Sequence, residues 1–232
     1  MIYQQFLSNK KQGKKSLAIL LDPDKIKMKK LDKTVNNIEK LEADYIFVGG
    51  SLLSENYIDN LILKIKKFTK IPVILFPGNY SQISSKADGI LFLSLLSGRN
   101  PEYLIGQHIQ AAPILKKINL EIISTGYLLI ENGKITGVEY ISNTKPIPRD
   151  KPDIALATAL AGQMLGMKTI YLEAGSGAIK HVPEKLIKIL SENIEIPIIV
   201  GGGIKTKKQI QKIFEAGADI VVVGTAFEKG NI

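Results

Sequence analysis

The stretch IPIIVGGGIKTKKQIQKIFEAGADIVVVGT, residues 196–225, decides the fold. It opens on a short β-branched run that closes in glycines, passes through a helical segment, and ends in a second run of the same kind. Residues 207–216 carry Ile210 and Ile213 on one face, with Gly217 just past the end, as a capped amphipathic helix requires. Neither flanking run alternates apolar with polar residues. Continuous apolar strands are buried on both faces, the mark of a parallel sheet, whose strands need a crossover helix between them.

Working outward, the same kind of run recurs at residues 16–22 (SLAILLD), 44–50 (DYIFVGG), 71–77 (IPVILFP), 89–94 (GILFLS), 121–125 (EIIST) and 168–175 (KTIYLEAG). Helix-like stretches separate them, including one opened by Pro152 with Gly166 placed to cap it, and one started by Pro183. The expected class is α/β, a (β/α)8 TIM barrel of the phosphate-binding type, with a doubly wound open sheet as the alternative. At 232 residues the chain is close to the ~250 of one barrel, so a single domain over residues 1–232 is expected.

Three departures from regularity are expected. Only GNYSQISSKAD, residues 78–88, joins the third and fourth strands, too short for an ordinary crossover helix, so a loop replaces the third helix. YLLIENGKITGVEYI, residues 127–141, reads as a hairpin turning at Asn132-Gly133. After the eighth strand only AFEKGNI remains, so the closing helix is missing or shortened, for which truncation is one explanation.

Composition narrows the chemistry. Cysteine is absent, which excludes disulfides, thiolate metal sites and cysteine nucleophiles. The two histidines, His108 and His181, are far apart and read as structural or solvent-exposed, so any metal is a hard cation held by oxygens. Lys+Arg exceed Asp+Glu by 31 to 22, a net charge of +9 suited to anionic ligands. The lysines are dispersed, without interleaved aromatics, and tryptophan is absent, which argues against nucleic acid. No apolar run approaches the ~20 residues of a membrane span and no signal segment is visible, so a soluble cytoplasmic protein is expected.

The chemistry-bearing residues fall at strand ends. Gly201, Gly202 and Gly203 end the seventh strand, and Gly224 with Thr225 ends the eighth, where barrels bind phosphate. Glycine lets backbone N–H groups approach an anion that a β-carbon would hold off. Glu173, in YLEAGSG at the end of the sixth strand, is placed to take a proton from a substrate hydroxyl; a salt-bridged strand-end glutamate is the plainer alternative. Asp22, ending the first strand, can hold Mg²⁺ together with substrate phosphates, while Asp24 is read as a helix cap. Ser51 after the second strand can add an oxygen. Arg99 can meet a diphosphate or pair with a loop carboxylate.

LLDPDK, VGGS, SLLSGRNP, IPRDKP, YLEAGSGA, VGGGIKT and VVVGTAFEK together resemble the geranylgeranylglyceryl phosphate synthase family and the related heptaprenylglyceryl phosphate synthases. The resemblance spans nearly the whole chain. It implies a modified barrel with the third helix replaced by a loop. It also implies prenyl transfer from a diphosphate, probed first with geranylgeranyl diphosphate, to the 3-hydroxyl of sn-glycerol-1-phosphate with Mg²⁺ as cofactor. By this resemblance Asp22 and Ser51 match the metal positions, and Tyr171, Leu172, Glu173, Ala174, Gly175, Ser176, Gly177, Gly202, Gly203, Gly224 and Thr225 match the glycerol-phosphate site. Glu173 matches the acid that acts on the reacting hydroxyl. A homo-oligomer and peripheral membrane contact through the prenyl substrate are further implications. Leu52, Leu53 and residues 90–96 are candidates for a prenyl groove. The chain departs from the pattern at Leu20, where some members have lysine, and at Thr225, often asparagine. The alternative functions are a sugar-phosphate isomerase or lyase on the same barrel, and a non-catalytic basic protein that binds anionic surfaces.

Overall fold

The computed structural model describes residues 1–50 and 57–232. Eight parallel strands close into a barrel in sequence order: β1 (Ser16–Leu21), β2 (Tyr45–Val48), β3 (Val73–Leu75), β4 (Gly89–Leu95), β5 (Glu121–Leu129), β6 (Thr169–Glu173), β7 (Ile198–Gly201) and β8 (Ile220–Val223). Closure comes from β8 pairing with β1, Ser16 opposite Ile220. The helices are α1 (Ile2–Lys11), α2 (Leu31–Lys40), α3 (Ile58–Phe68), α4 (Gln107–Leu115), α5 (Gly137–Ser142), α6 (Pro152–Met164), α7 (Glu184–Asn193), α8 (Lys207–Glu215) and α9 (Thr225–Glu228).

Strand parity divides the core in two. Ala18, Tyr45, Phe47, Ile123, Tyr171 and Ile199 fill the barrel interior, while Ile19, Ile46, Leu172 and Val200 pack outward against the helices. Each fully buried aliphatic side chain contributes about 1.5–3 kcal/mol, so both layers drive closure. Helix α1 plugs the bottom: its Ile2 and Phe6 join the interior core, and the Ile2 and Tyr3 N–H groups donate to the Glu121 carboxylate at 2.5 and 2.9 Å. The open end is therefore the top, where the strands finish.

Local signals fix the helices around that top. Thr206 and Gln209 form a reciprocal capping box at the start of α8. Its far end turns through Gly217 at φ 111°, where a β-carbon would collide with Ser191. Pro152 opens α6, and Gly166 closes it as expected, with Met167 N–H bonded to Gly162 O at 3.0 Å.

The third helix is replaced by a loop holding one short turn, Tyr80–Gln82, and α9 is a single turn, both as the sequence indicates. The hairpin at Asn132-Gly133 does not form. Strand β5 continues to Leu129 with β4 on one edge and β6 on the other, leaving no edge for a returning strand. The chain turns instead: Asn132 Nδ2 donates to Lys134 O at 3.1 Å, and Thr136 caps α5. The expected cap at Asp24 is also reversed. Asp22 is the capping residue, its Oδ1 accepting the Asp24 N–H at 3.2 Å.

Candidate active site

A polar cavity of about 1510 Å³, its open mouth included, sits over the C-terminal ends of the strands. Glu173 lines it. Strand parity turns its side chain inward like that of Tyr171, beside Gly201 of β7 in the ladder. It is 6% exposed, and its Oε1 accepts the Gly175 N–H at 2.5 Å. Among the described residues no cation pairs with it, so the salt-bridged alternative fails. Burial raises its pKa to about 7, against the opposing pull of the Gly175 N–H and the Tyr171 hydroxyl. A carboxyl with that value exchanges protons near neutrality.

Glycine is required around this acid. At Gly202, φ 82°, a β-carbon would strike the Glu173 carboxylate and crowd the amide nitrogens of Gly175 and Ala174 at 2.5 and 2.7 Å. Gly175, Ser176, Gly177, Gly203, Gly224 and Thr225 also line the cavity, so the anion-binding candidates of three strand ends converge. Leu172 and Ala174 do not. Both are fully buried in the layer between strands and helices, because alternate strand residues face away from the barrel axis.

Asp22 also lines the cavity, and its Oδ2 lies 2.7 Å from Lys25 Nζ. Lys25 also lies 3.8 Å from Glu228 Oε2. Burial works against the Lys25 ammonium, but the Asp22 hydrogen bond and the Glu228 charge outweigh it and raise its pKa. Ser51, Leu52 and Leu53 lie outside the described residues. Among the described residues no carboxylate pairs with Arg99, and it lines neither the polar cavity nor the apolar cleft beside it. Its guanidinium donates to Leu96 O and Gly98 O at 3.3 and 3.0 Å, folding the loop upon itself.

A second, apolar cleft of about 850 Å³ adjoins the polar one. Ile90, Leu91, Phe92, Leu93 and Leu95 wall it as expected. Ser94 and Leu96 turn outward: the Ser94 hydroxyl donates to Leu104 O at 2.8 Å, and Leu96 packs near Gly126 and Gly162. His108 lines this cleft with its ring edge-on to Phe92 at 4.3 Å, and burial lowers its pKa. His181 is half-buried, with Nδ1 2.8 Å from Val182 O.

The two cavities share four lining residues, Gly50, Phe76, Tyr127 and Val138. Tyr171 stacks against Phe76 and Tyr127 at 5.1 and 5.4 Å, forming an aromatic wall at the seam. Its buried hydroxyl lies beside Glu173 without a well-aligned hydrogen-bond partner. Sequence reading missed Phe76 and Tyr127, the latter concealed by the supposed hairpin. It also missed Lys25 and Glu228, although Lys25 stands three residues after Asp22, within reach across one turn.

With this geometry the chain's relatives can be placed. The PcrB family profile matches residues 10–231. The chain belongs to the PcrB family. It is 60% identical over 227 residues to a geranylgeranylglyceryl phosphate synthase of Flavobacterium johnsoniae, covering 98% of this chain and 93% of that one. A crystal structure of (S)-3-O-geranylgeranylglyceryl phosphate synthase from Thermoplasma acidophilum, in complex with substrate sn-glycerol-1-phosphate, superimposes with a TM-score of 0.92. The two share 35% identity, over 99% of this chain and 92% of the other. The α-subunit of tryptophan synthase from Pyrococcus furiosus, at 14% identity and a TM-score of 0.55 over 92% of this chain and 88% of that one, shares the fold alone.

Proposed function

We propose that this PcrB-family protein is a Mg²⁺-dependent prenyltransferase that joins a geranylgeranyl group to the 3-hydroxyl of sn-glycerol-1-phosphate. One observation carries the reading: a buried acid with a near-neutral pKa lines an anion-binding cup, and Tyr171 beside it stacks on Phe76 and Tyr127, where the cup meets an apolar cleft. Glycerol phosphate belongs in the cup, its phosphate on the glycine N–H groups of the sixth, seventh and eighth strand ends. The prenyl tail belongs in the cleft, which puts its reacting carbon at the seam beside Phe76 and Tyr127. There the bond between the allylic carbon and the diphosphate oxygen breaks, and its electron pair leaves with the diphosphate. The glycerol oxygen forms the new ether bond, and its proton passes to Glu173.

Asp22 and its surroundings suit Mg²⁺. Among the described residues no group of three or more acids or histidines gathers, and Mg²⁺ takes only one or two carboxylates when substrate phosphates complete its shell. Asp22 presents one carboxylate and Glu228 lies nearby, across Lys25. The metal would supply charge neutralisation for the departing diphosphate.

We place the enzyme in the cytoplasm as a homo-oligomer that touches the membrane while lipid is exchanged. Ile105 and Ile109 support that contact: they are 56% and 62% exposed, on the segment whose Tyr103 and His108 wall the cleft. A sugar-phosphate isomerase or lyase would have no use for the cleft.

Glu173→Gln tests the reading, since it keeps the size and one acceptor but loses the base. We expect a folded protein that binds both substrates and turns over about a hundredfold or more slowly, the usual span for loss of a general base. Wild-type turnover should rise with pH through about 7, as the carboxylate form accumulates. Near-normal turnover in the variant would return Glu173 to a structural role.

A further inference from the structure

The salt bridge in the polar cavity sets one ammonium between two carboxylates. Lys25 follows the end of β1, and Glu228 ends α9, the turn that carries Thr225. The Lys25 ammonium sits 2.7 Å from Asp22 and 3.8 Å from Glu228, and all three side chains line the cavity that holds the anion-binding glycines. The side chains of Asp22 and Glu228 are only 23% and 17% exposed, so their charges need a compensating cation. The ammonium supplies one positive charge to two carboxylates. A divalent ion would balance both.

From this geometry we infer that Lys25 and the divalent cation compete for the Asp22–Glu228 pair, and that the displaced ammonium then binds a phosphate oxygen of substrate. Glu228 is accordingly a second metal-binding carboxylate, and Lys25 an anion-binding residue held in reserve. The proposal rests on Asp22 as a metal carboxylate, not on prenyl transfer itself. Lysine suits such an exchange. Its ammonium is a point charge on a flexible stem, able to swing within one cavity without the fixed fork of an arginine. Leu20 lines the same cavity and supplies no charge. Lys25 reaches that space from the next turn of the chain. Without bound metal the ammonium balances only one of the two carboxylate charges, and the group turns net positive toward phosphate only when the metal has arrived. Substrate binding is thereby ordered, metal before anion.

The test needs no turnover. Mn²⁺ binding to the intact protein is followed by electron paramagnetic resonance of the free ion. In saturating Mn²⁺, inorganic pyrophosphate and sn-glycerol-1-phosphate are then titrated separately by calorimetry. Lys25→Met should bind Mn²⁺ about two- to fivefold more tightly than wild type, the span a part-exposed ion pair imposes. The same variant should bind one of the two anions about ten- to hundredfold more weakly, the worth of one charge-assisted hydrogen bond. Which anion loses affinity identifies the one that Lys25 holds. Glu228→Gln should weaken Mn²⁺ about tenfold, since a hard-cation site is tuned by its carboxylate count. The opposite signs in Lys25→Met are decisive, because a merely structural lysine would weaken both ligands together. Lys25→Gln serves if the methionine variant does not fold. Unchanged or weaker Mn²⁺ affinity in the lysine variant, or unchanged affinity for both anions, overturns the proposal. A wild-type protein that makes no prenyl ether would defeat the synthase reading and leave these titrations interpretable.

Discussion

At the scale of single residues, the cavity is a set of side chains chosen by strand parity. YLEAGSG reads in sequence as one continuous binding motif, but alternate residues of β6 face opposite ways, so Tyr171 and Glu173 enter the cavity while Leu172 enters the outer core. The residue types were legible in the sequence; their directions depend on the register. Arg99 teaches the same point, since nothing in SLLSGRNP indicates that its guanidinium will satisfy its own loop. Glu173 carries a stability cost. Its folded pKa of about 7 lies above the ordinary 4.5, so the folded state holds its proton more tightly than the unfolded state does. Stability is therefore full below about pH 4.5, falls as pH rises, and levels off above about 7 at a loss of roughly 3 kcal/mol, at about 1.4 per pH unit. Glu173→Gln should abolish that pH dependence as well as slow turnover about a hundredfold or more. Thr225 is expected to donate to the glycerol phosphate. Thr225→Val should then weaken sn-glycerol-1-phosphate about ten- to hundredfold, the worth of one hydrogen bond to a charged group, and leave prenyl diphosphate binding unchanged. Calorimetric titration checks this, and equal loss for both ligands would make Thr225 a part of the scaffold.

At the scale of elements, the missing third helix creates the second cavity. Phe76, Pro77, Asn79, Tyr80 and Ile83, all in the β3–β4 connection, line the apolar cleft. A packed crossover helix on the outer face of β3 and β4 would occupy that space. The short GNYSQISSKAD stretch announced the missing helix, because eleven residues, 78–88, hold no ordinary crossover. The hairpin failed for a reason outside its own residues. Asn-Gly is a strong turn signal, yet a hairpin needs a free strand edge, and barrel closure leaves β5 none. Local chemistry makes the chain turn there, while tertiary pairing decides where it goes afterwards. Ala111, buried on α4, lines the cleft, so with the tail seated there as proposed its size would limit how much tail fits. Ala111→Phe should lower kcat/KM for geranylgeranyl diphosphate several-fold more than for a farnesyl donor, by about one aromatic side chain of lost apolar volume. Parallel loss for both donors would place the tail elsewhere.

At the scale of the whole molecule, two chemically unlike cavities open on one end of a single barrel and meet at four residues. Sequence reading reached the barrel, the strand ends and the acid, because β-branched runs and glycine clusters are local signals. The seam was not legible, since Phe76 and Tyr127 are separated by fifty residues of chain and meet only when the barrel closes. The net charge of +9 suits a protein whose substrates are both phosphate esters. Neither cavity alone implies a transferase. A polar cup would serve any sugar phosphate, and an apolar cleft any lipid; only their junction at Phe76 and Tyr127, next to the Tyr171 and Glu173 pair, calls for one molecule of each. The most direct test is product analysis of the wild-type protein with sn-glycerol-1-phosphate, Mg²⁺ and prenyl diphosphates of increasing length. We expect a prenyl ether at the 3-position, with geranylgeranyl diphosphate turned over and one diphosphate released per ether formed. Absence of any prenyl ether with every donor would contradict this reading of the site.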